Sequence, residues 1–353
     1  MTQTVSLLLI GDPHFKVSNT RETTKFAAKS IKVAKRYKPD AIIDLGDTLD
    51  RHETIHVNPL TQATEWLQGL AGLAPTYVLI GNHDRPNNGK HSSLSTLHPF
   101  NALKTCPNII VVDKAISVNI KGANIVMVPY TPPGNFKEAM TEEKIDYKSA
   151  VVIMAHQEFE GAKMGAIVST VGDKWSTKLP PVFSGHIHDY DELQSNLTYV
   201  GTPFQQAFGD HSDKALMLLK FTLVDDKWVQ TTIERINLNL PKKIVHKIHV
   251  DEVSTFEPDL TQENKIEISG GREAVNATMK SSNVKKWIAA GIKVVTKGEI
   301  ITTPVQPLKN GLASSKTYKQ VLKINIKKHS HKEELLKLYA ELIDDSGTEE
   351  KKE

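Results

Sequence analysis

The stretch Thr76-Tyr77-Val78-Leu79-Ile80-Gly81-Asn82-His83-Asp84 decides how the rest of the chain is read. Five residues rich in apolar and β-branched side chains form a buried strand, and glycine lets the backbone turn at its end. Three polar side chains then arrive at the strand's carboxyl end, where open α/β sheets bind ligands. Asn82 offers a neutral oxygen to a metal, His83 a nitrogen or a proton, and Asp84 a carboxylate able to orient the imidazole. A polar turn has similar composition. The functional reading rests on four other strand ends that carry matching chemistry.

Upstream, Val5–Ile10 reads as the first strand and runs into Gly11-Asp12-Pro13-His14. Thr20–Arg36 is helical in composition and stops before Pro39. Ala41–Leu45 is the second strand, closed by Gly46-Asp47, and Thr61–Leu73 is a helix with Trp66, Leu67 and Leu70 on one face. This strand–helix–strand–helix–strand run predicts a parallel sheet with right-handed crossovers. Downstream, Ser92–Lys104 reads as a helix. Ile109–Val112, Ala115–Ile120 and Ile125–Val128 read as short strands. Ala150–Met154 leads to Ala155-His156, and Pro181–Ser184 leads to Gly185-His186-Ile187-His188. Leu197–Val200 and Ala215–Phe221 complete a strand-rich second half. The fold class expected is α/β (α+β), a two-sheet mixed β sandwich flanked by helices with a smaller C-terminal α+β domain. The boundaries expected are 1–240, 241–330 and 331–353.

The polar residues at strand ends are Asp12, His14, Asp47, Asn82, His83, His156, His186 and His188. Hard oxygens mixed with imidazoles suit Mn²⁺, Fe or Zn²⁺ better than Ca²⁺ or Mg²⁺. Seven donors and a spare histidine suggest two ions with a shared carboxylate, a pair that clamps a phosphate and acidifies a bridging water. Hydrolysis of a phosphoester follows.

The ordered pattern Asp-x-His, Gly-Asp, Gly-Asn-His-Asp, His, Gly-His-x-His over residues 12–188 resembles the calcineurin-like metallophosphoesterase superfamily. Within it the chain is similar to the SbcD-type DNA repair nucleases, including small phage recombination subunits. The carriers are Gly46-Asp47-Thr48-Leu49-Asp50, Gly81 through Pro86, and Tyr199-Val200-Gly201-Thr202-Pro203 followed by Phe208-Gly209-Asp210. The resemblance is strong over residues 5–222 and weak beyond. It implies that Asp12, His14 and His188 hold one ion, that Asn82, His156 and His186 hold the other, and that Asp47 bridges both. It implies Mn²⁺ as the metal. It makes His83 the group that protonates the leaving oxygen or steadies the phosphate, with Asp84 orienting it. Asp50 stands where some members carry histidine, which leaves the balance of exo- and endonuclease action open. His52 reads as a solvated loop histidine.

Other classes remain in view. Asp47-Thr48-Leu49-Asp50-Arg51 echoes the Ser/Thr protein phosphatases, although His52 stands where those carry glycine and Asp84 where they carry glutamate. A small-phosphodiester hydrolase and a DNA-end-binding scaffold with a vestigial site are further alternatives.

Charge separates along the chain. The formal net charge is only +3, yet residues 265–332 hold fourteen Lys/Arg against three Asp/Glu, and 333–353 hold three against eight. The basic stretch fits DNA backbone contact. His331–Ile343 has leucines at helical spacing. By resemblance that helix docks on an SbcC-type ABC ATPase, and helices at Leu60–Leu73 and Leu94–Leu103 build a homodimer. The single cysteine, Cys106, excludes an internal disulfide and fits a reducing compartment. No apolar run reaches membrane-spanning length. A cytoplasmic location is expected, that of the host if the chain is phage-encoded.

Overall fold

The computed structural model describes residues 3–52, 54–86, 97–298, 326 and 331–339. Residues 1–299 form one compact unit and 300–353 a second.

The first unit is built on two six-stranded sheets. Sheet one contains β1 (Thr4–Ile10), β2 (Ala41–Asp44), β3 (Thr76–Leu79) and β4 (Ile109–Val112), all parallel. Sheet two contains β5 (Ile116–Ile120), β6 (Ala123–Val128), β7 (Val152–His156), β10 (Val182–Gly185), β11 (Asp191–Gln194) and β12 (Leu197–Tyr199). Its order is β11-β12-β10-β7-β6-β5, with a parallel centre and antiparallel edges. A small hairpin, β8 (Lys163–Met164) with β9 (Ile167–Val168), lies between β7 and β10 in the chain. The chain then returns to sheet one, where β13 (Leu216–Val224) runs antiparallel beside β1 and β14 (Lys227–Ile236) forms the edge.

Strands buried on both faces need near-continuous apolar runs. Leu7 to Ile10 and Ala41 to Ile43 supply them, with every side chain fully buried. One set of faces (Leu7, Leu9, Ile43, Leu79) meets Ile125, Met127, Met154 and Phe183 of the second sheet. The opposite set (Leu8, Ile10, Val78) packs under α1 (Thr20–Tyr37) and α2 (Val57–Ala71), where Phe26, Trp66 and Leu70 are buried. Trp66 Nε1–H donates to Ser30 Oγ at 2.9 Å and so ties the two helices. The outer face of sheet two is covered by α3 (Phe136–Glu142) together with Phe159 and Trp175. The layers are therefore helix, sheet, sheet, helix, as expected for the fold class.

A three-stranded parallel sheet follows: β15 (Lys243–His249), β16 (Glu263–Gly270) and β17 (Lys293–Gly298). Helices α4 (Arg272–Thr278) and α5 (Ser282–Ala289) precede β17, and Ile248, Ile266, Ile268, Val284 and Trp287 form its own core. In the second unit, α6 (Lys332–Tyr339) is helical, and the rest of the segment expected to be helical through Ile343 lies outside the described residues.

Some local expectations fail. Where a helix was expected over Ser92–Lys104, the described part is a 3-10 helix, Pro99–Thr105. Pro99 starts it after an extended His98 whose ring accepts from Phe100 N–H, and residues 92–96 lie outside the described residues. The strand β14 gives no sequence signal because it is an exposed edge strand, mostly polar on both faces.

Candidate metal centre

Lateral register aligns the strand ends. Ile10 pairs with Asp44 and Asp44 with Val78, so β1, β2 and β3 finish side by side. In sheet two His156 pairs with Gly185. The loops that follow deliver Asp12, His14, Asp47, Asn82 and His186 to one ridge, and His156 closes its own strand. The two sheets are stitched there by His156 Nδ1–H, which donates to Leu45 O at 2.8 Å. That bond fixes the tautomer and turns Nε2 toward the site, as in imidazoles prepared for a metal.

Bringing donors this close strains the backbone. Asp12, His14, Asp47 and His186 all have positive φ, from 30° to 81°, a region that non-glycine residues enter at a cost of roughly 1 kcal/mol or more. Glycine is required where the loops touch. A Cβ on Gly81 would lie 2.2 Å from Asp47 Oδ1, and one on Gly185 would lie 2.7 Å from Asp12 Oδ1.

The donors form two groups. Asn82 Oδ1 is 3.0 Å from His156 Nε2 and 2.9 Å from His186 Nδ1. His14 Nε2 is 2.9 Å from His188 Nε2, and Asp12 Oδ2 is buried without a protein partner. Asp47 Oδ2 stands between, 3.4 Å from His156 Nε2 and 3.9 Å from His14 Nε2. Donor atoms set this close need a cation among them: a proton shared between two, or a metal ion among more. Separations near 3 Å are also the edge of an octahedron whose metal–donor bonds are about 2.1 Å. The seven residues Asp12, His14, Asp47, Asn82, His156, His186 and His188 thus fit divalent metal, and ligand atoms of Asp47, His156 and His186 all lie within 4.8 Å of one another.

The charges agree with a site built to attract cations. Burial raises the Asp12 carboxyl to about 7, against the pull of His156. Burial would raise Asp47 too, but the surrounding imidazoles, His156 above all, hold it below the usual range. Burial would lower His156, yet the Asp47 and Asp12 carboxylates push it up to about 9. His186 is driven down to about 3 by burial and by His156. His14 and His188 are also lowered, chiefly by burial, which keeps their ring nitrogens available as lone-pair donors.

His83 stands apart from the donor groups. Its side chain is about 31 % exposed, with Nε2 4.0 Å from Asp47 Oδ2. Its Nδ1–H donates to Asp50 O at 2.7 Å. The expectation that Asp84 orients His83 is therefore corrected. Asp84 is buried and accepts from Gly81 N–H (3.0 Å), Leu49 N–H (2.9 Å) and Thr48 N–H (3.2 Å). Its carboxylate clamps the loop that carries Asp47 and Asp50 and acts on His83 only through that loop. The reason is geometric: adjacent side chains in a turn diverge, so Asp84 points under the loop while His83 points out.

His52 is likewise not a free loop histidine. Its ring stacks on His83 with centroids 4.5 Å apart, and its Nδ1 lies 2.7 Å from Asn82 O. Only the proximity of the 46–52 and 81–84 loops reveals this. Tyr130 and Glu158 were also not singled out. The Tyr130 ring lies 5.8 Å from that of His186, and Glu158 Oε2 is 3.9 Å from His186 Nε2. A tyrosine and a glutamate just past β6 and β7 were weak signals without the fold. The Tyr199–Pro203 segment supports the ridge from below: Thr202 N–H donates to His188 O at 3.0 Å, and Gly11 leaves no room for a Cβ against Gly201 O.

Comparison with known proteins matches residues 5–190 to the calcineurin-like phosphoesterase family. The chain is 37% identical over 300 residues to "Putative phosphoesterase 078R" of Invertebrate iridescent virus 3, covering 83% of this chain and 84% of that protein. It is 37% identical over 281 residues to "Putative phosphoesterase 244L" of Invertebrate iridescent virus 6, covering 79% and 98%. A more distant similarity, 29% over 218 residues, links it to "Exonuclease subunit 1" of Enterobacteria phage T4, covering 59% and 62%.

Proposed function

Because the chain belongs to the calcineurin-like phosphoesterase family, and is thus a hydrolase of phosphoesters with a divalent metal site, we propose that its substrate is DNA and that it works as a two-metal nuclease in recombination or repair. The observation that carries this reading is the pairing of the donor ridge with a similarity to a phage exonuclease subunit. Asp12, His14 and His188 would hold one ion, Asn82, His156 and His186 the other, with Asp47 shared and Mn²⁺ the metal in use. Such ions, when bound, polarise a phosphate and acidify a water.

The chain's own groups do the rest. Asp50 O fixes His83 by its Nδ1–H, so Nε2 faces the ridge and carries the proton exchanged with the leaving oxygen. Asp84 keeps the Asp47 loop in place. The division into 1–240, 241–330 and 331–353 assigns hydrolysis to the first part and backbone contact to the basic second. The C-terminal helix would dock on an SbcC-type ATPase, with a homodimer as the working form and the cytoplasm as its place. Among the described residues no helix is long and apolar enough to cross a membrane.

The test is cleavage of end-labelled DNA with Mn²⁺, with and without the ATPase and ATP, beside a phosphopeptide and a small chromogenic phosphodiester. Turnover of the phosphopeptide with none of DNA would make the chain a protein phosphatase. Hydrolysis of the small diester alone would leave a small-molecule phosphodiesterase.

A further inference from the structure

Parallel sheets are almost always covered on both faces. Among the described residues, the β15-β16-β17 sheet is covered on one. Its register sets Val245, Lys265 and Lys293 in one row, Lys247, Glu267 and Val295 in the next, and His249, Ser269 and Lys297 in the third. Side chains alternate along a strand, so these nine share a face. The intervening residues Ile248, Ile266, Ile268 and Val294 pack with α5's Val284 and Trp287 on the other face. Lys247, His249, Lys293 and Lys297 are exposed. The open face therefore carries four lysines around one carboxylate, Glu267, which pairs with Lys265 at 2.7 Å and Lys297 at 2.8 Å.

Two clefts lie between this face and the loop whose Asp50 holds His83. One, of about 400 Å³, is lined by Ser18 just before α1, by Arg21 and Lys25 in its first turns and by Lys293 at the start of β17. On its floor Lys243 pairs with both Glu22 (3.0 Å) and Glu263 (2.5 Å), two carboxylates to one cation, so the cations left for a strand are those of the walls, Arg21, Lys25 and Lys293. The other, of about 200 Å³, is lined by Ser18, Phe15, Leu49, Asp50 and Arg51, and Asp50 holds His83. Ser18 lines both clefts, so they adjoin.

We propose that a nucleic-acid strand reaching the metal ridge is held along this track, its phosphates running from Arg51 past Arg21 and Lys25 to Lys293 and onto Lys265 and Lys297 of the uncovered sheet face. The proposal rests on the nuclease reading and deepens it. It separates the useful charge from the rest of the basic segment: Arg272, Lys280, Lys285 and Lys286 belong to the helical layer on the sheet's other side. The face is suited to a polyanion because its cations sit on rigid strands about 4.8 Å apart, and their neutralising of phosphates releases counterions.

The test compares two full-length variants of equal charge. One carries Arg21→Ala, Lys25→Ala, Lys293→Ala and Lys297→Ala. The control carries Arg272→Ala, Lys280→Ala, Lys285→Ala and Lys286→Ala. Binding of a fluorescent, cleavage-resistant phosphorothioate single strand is followed by anisotropy with Mn²⁺ present across a salt series. Loss of four phosphate contacts lowers the slope of log K against log salt by about 3, at roughly 0.7 per contact on a single strand. The track variant should show that change and bind at least tenfold more weakly near 0.1 M salt, while the control stays near wild type. Both should hydrolyse a small chromogenic phosphodiester at the wild-type rate, which shows the fold and ridge intact. Equal losses in the two variants, or none in the track variant, would overturn the track. Binding of phosphatidylserine vesicles but not of the strand would assign the face to a membrane and overturn it too. A wild-type protein that binds the strand while the track variant is unchanged leaves the nuclease reading standing; a wild type that neither binds nor cuts DNA removes both.

Discussion

Replacing Asp84 by Asn changes one atom and leaves volume almost unaltered, so it isolates the role of the carboxylate. In the folded chain two oxygens accept from three buried backbone N–H groups, those of Gly81, Thr48 and Leu49. Asparagine has one acceptor oxygen. Placed over Gly81 and Thr48, it turns its NH₂ toward Leu49 N–H, donor against donor. At least one buried N–H is then unpaired, at a cost of roughly 1–3 kcal/mol. In a unit of this size that is a fall of about 2–12 °C in Tm, at 2–4 °C per kcal/mol. The loosened segment is the one that carries Asp47, so Mn²⁺ should bind more weakly as well. Two readings are needed: Tm by calorimetry without metal, and Mn²⁺ affinity by isothermal titration. His83→Gln serves as the reference, because its ring takes no part in the Asp84 clamp and donates to the Asp50 carbonyl instead, so Tm and metal affinity should stay near wild type. If Asp84→Asn kept wild-type Tm and Mn²⁺ affinity and lost activity alone, the clamp would be wrong and Asp84 would act on His83 after all.

Three further outcomes are expected. Asp47→Ala should reduce bound metal at both positions and abolish phosphodiester cleavage, since its Oδ2 faces both donor groups; two fully occupied ions in an anomalous-scattering map would refute the sharing. His83→Gln should retain metal yet lose 10²–10⁴-fold in kcat, the usual contribution of a general acid; unchanged turnover of the chromogenic diester would dismiss it. Asp113 predicts an acid-sensitive term in stability. Burial would raise its carboxyl, but hydrogen bonds from His98 and Lys104 outweigh that and hold it at about 2. A depressed carboxylate stabilises the fold above its unfolded value of 3.8 and loses that contribution as pH falls toward 2. The difference corresponds to roughly 2 kcal/mol. Urea midpoints of Asp113→Asn should therefore lie below wild type at pH 5 and converge with it by pH 2, and a constant gap would contradict the linkage.

Much of this was legible in the chain alone. Buried parallel strands demand unbroken apolar runs, so Val5–Ile10, Ala41–Leu45 and Thr76–Ile80 announced themselves, and the polar residues after them could only lie at one edge of a sheet. Which residues gather on the ridge was thus written in local order. What each does to its neighbour was not. Asp84 and His83 are adjacent in sequence but point apart, while His83 donates its hydrogen bond to the carbonyl of Asp50, thirty-three positions away, and stacks on His52. The facing of His14 and His188, 174 positions apart, also required both sheets to close on each other. The open face of the small sheet was hidden for the same reason. A run of lysines reads as uniformly basic along the chain, and only strand register divides it into a helix side and the opposite side. Local sequence specifies the direction and burial of a strand because those depend on its own side chains; partners across loops depend on how strand ends align, which only the packed sheets decide.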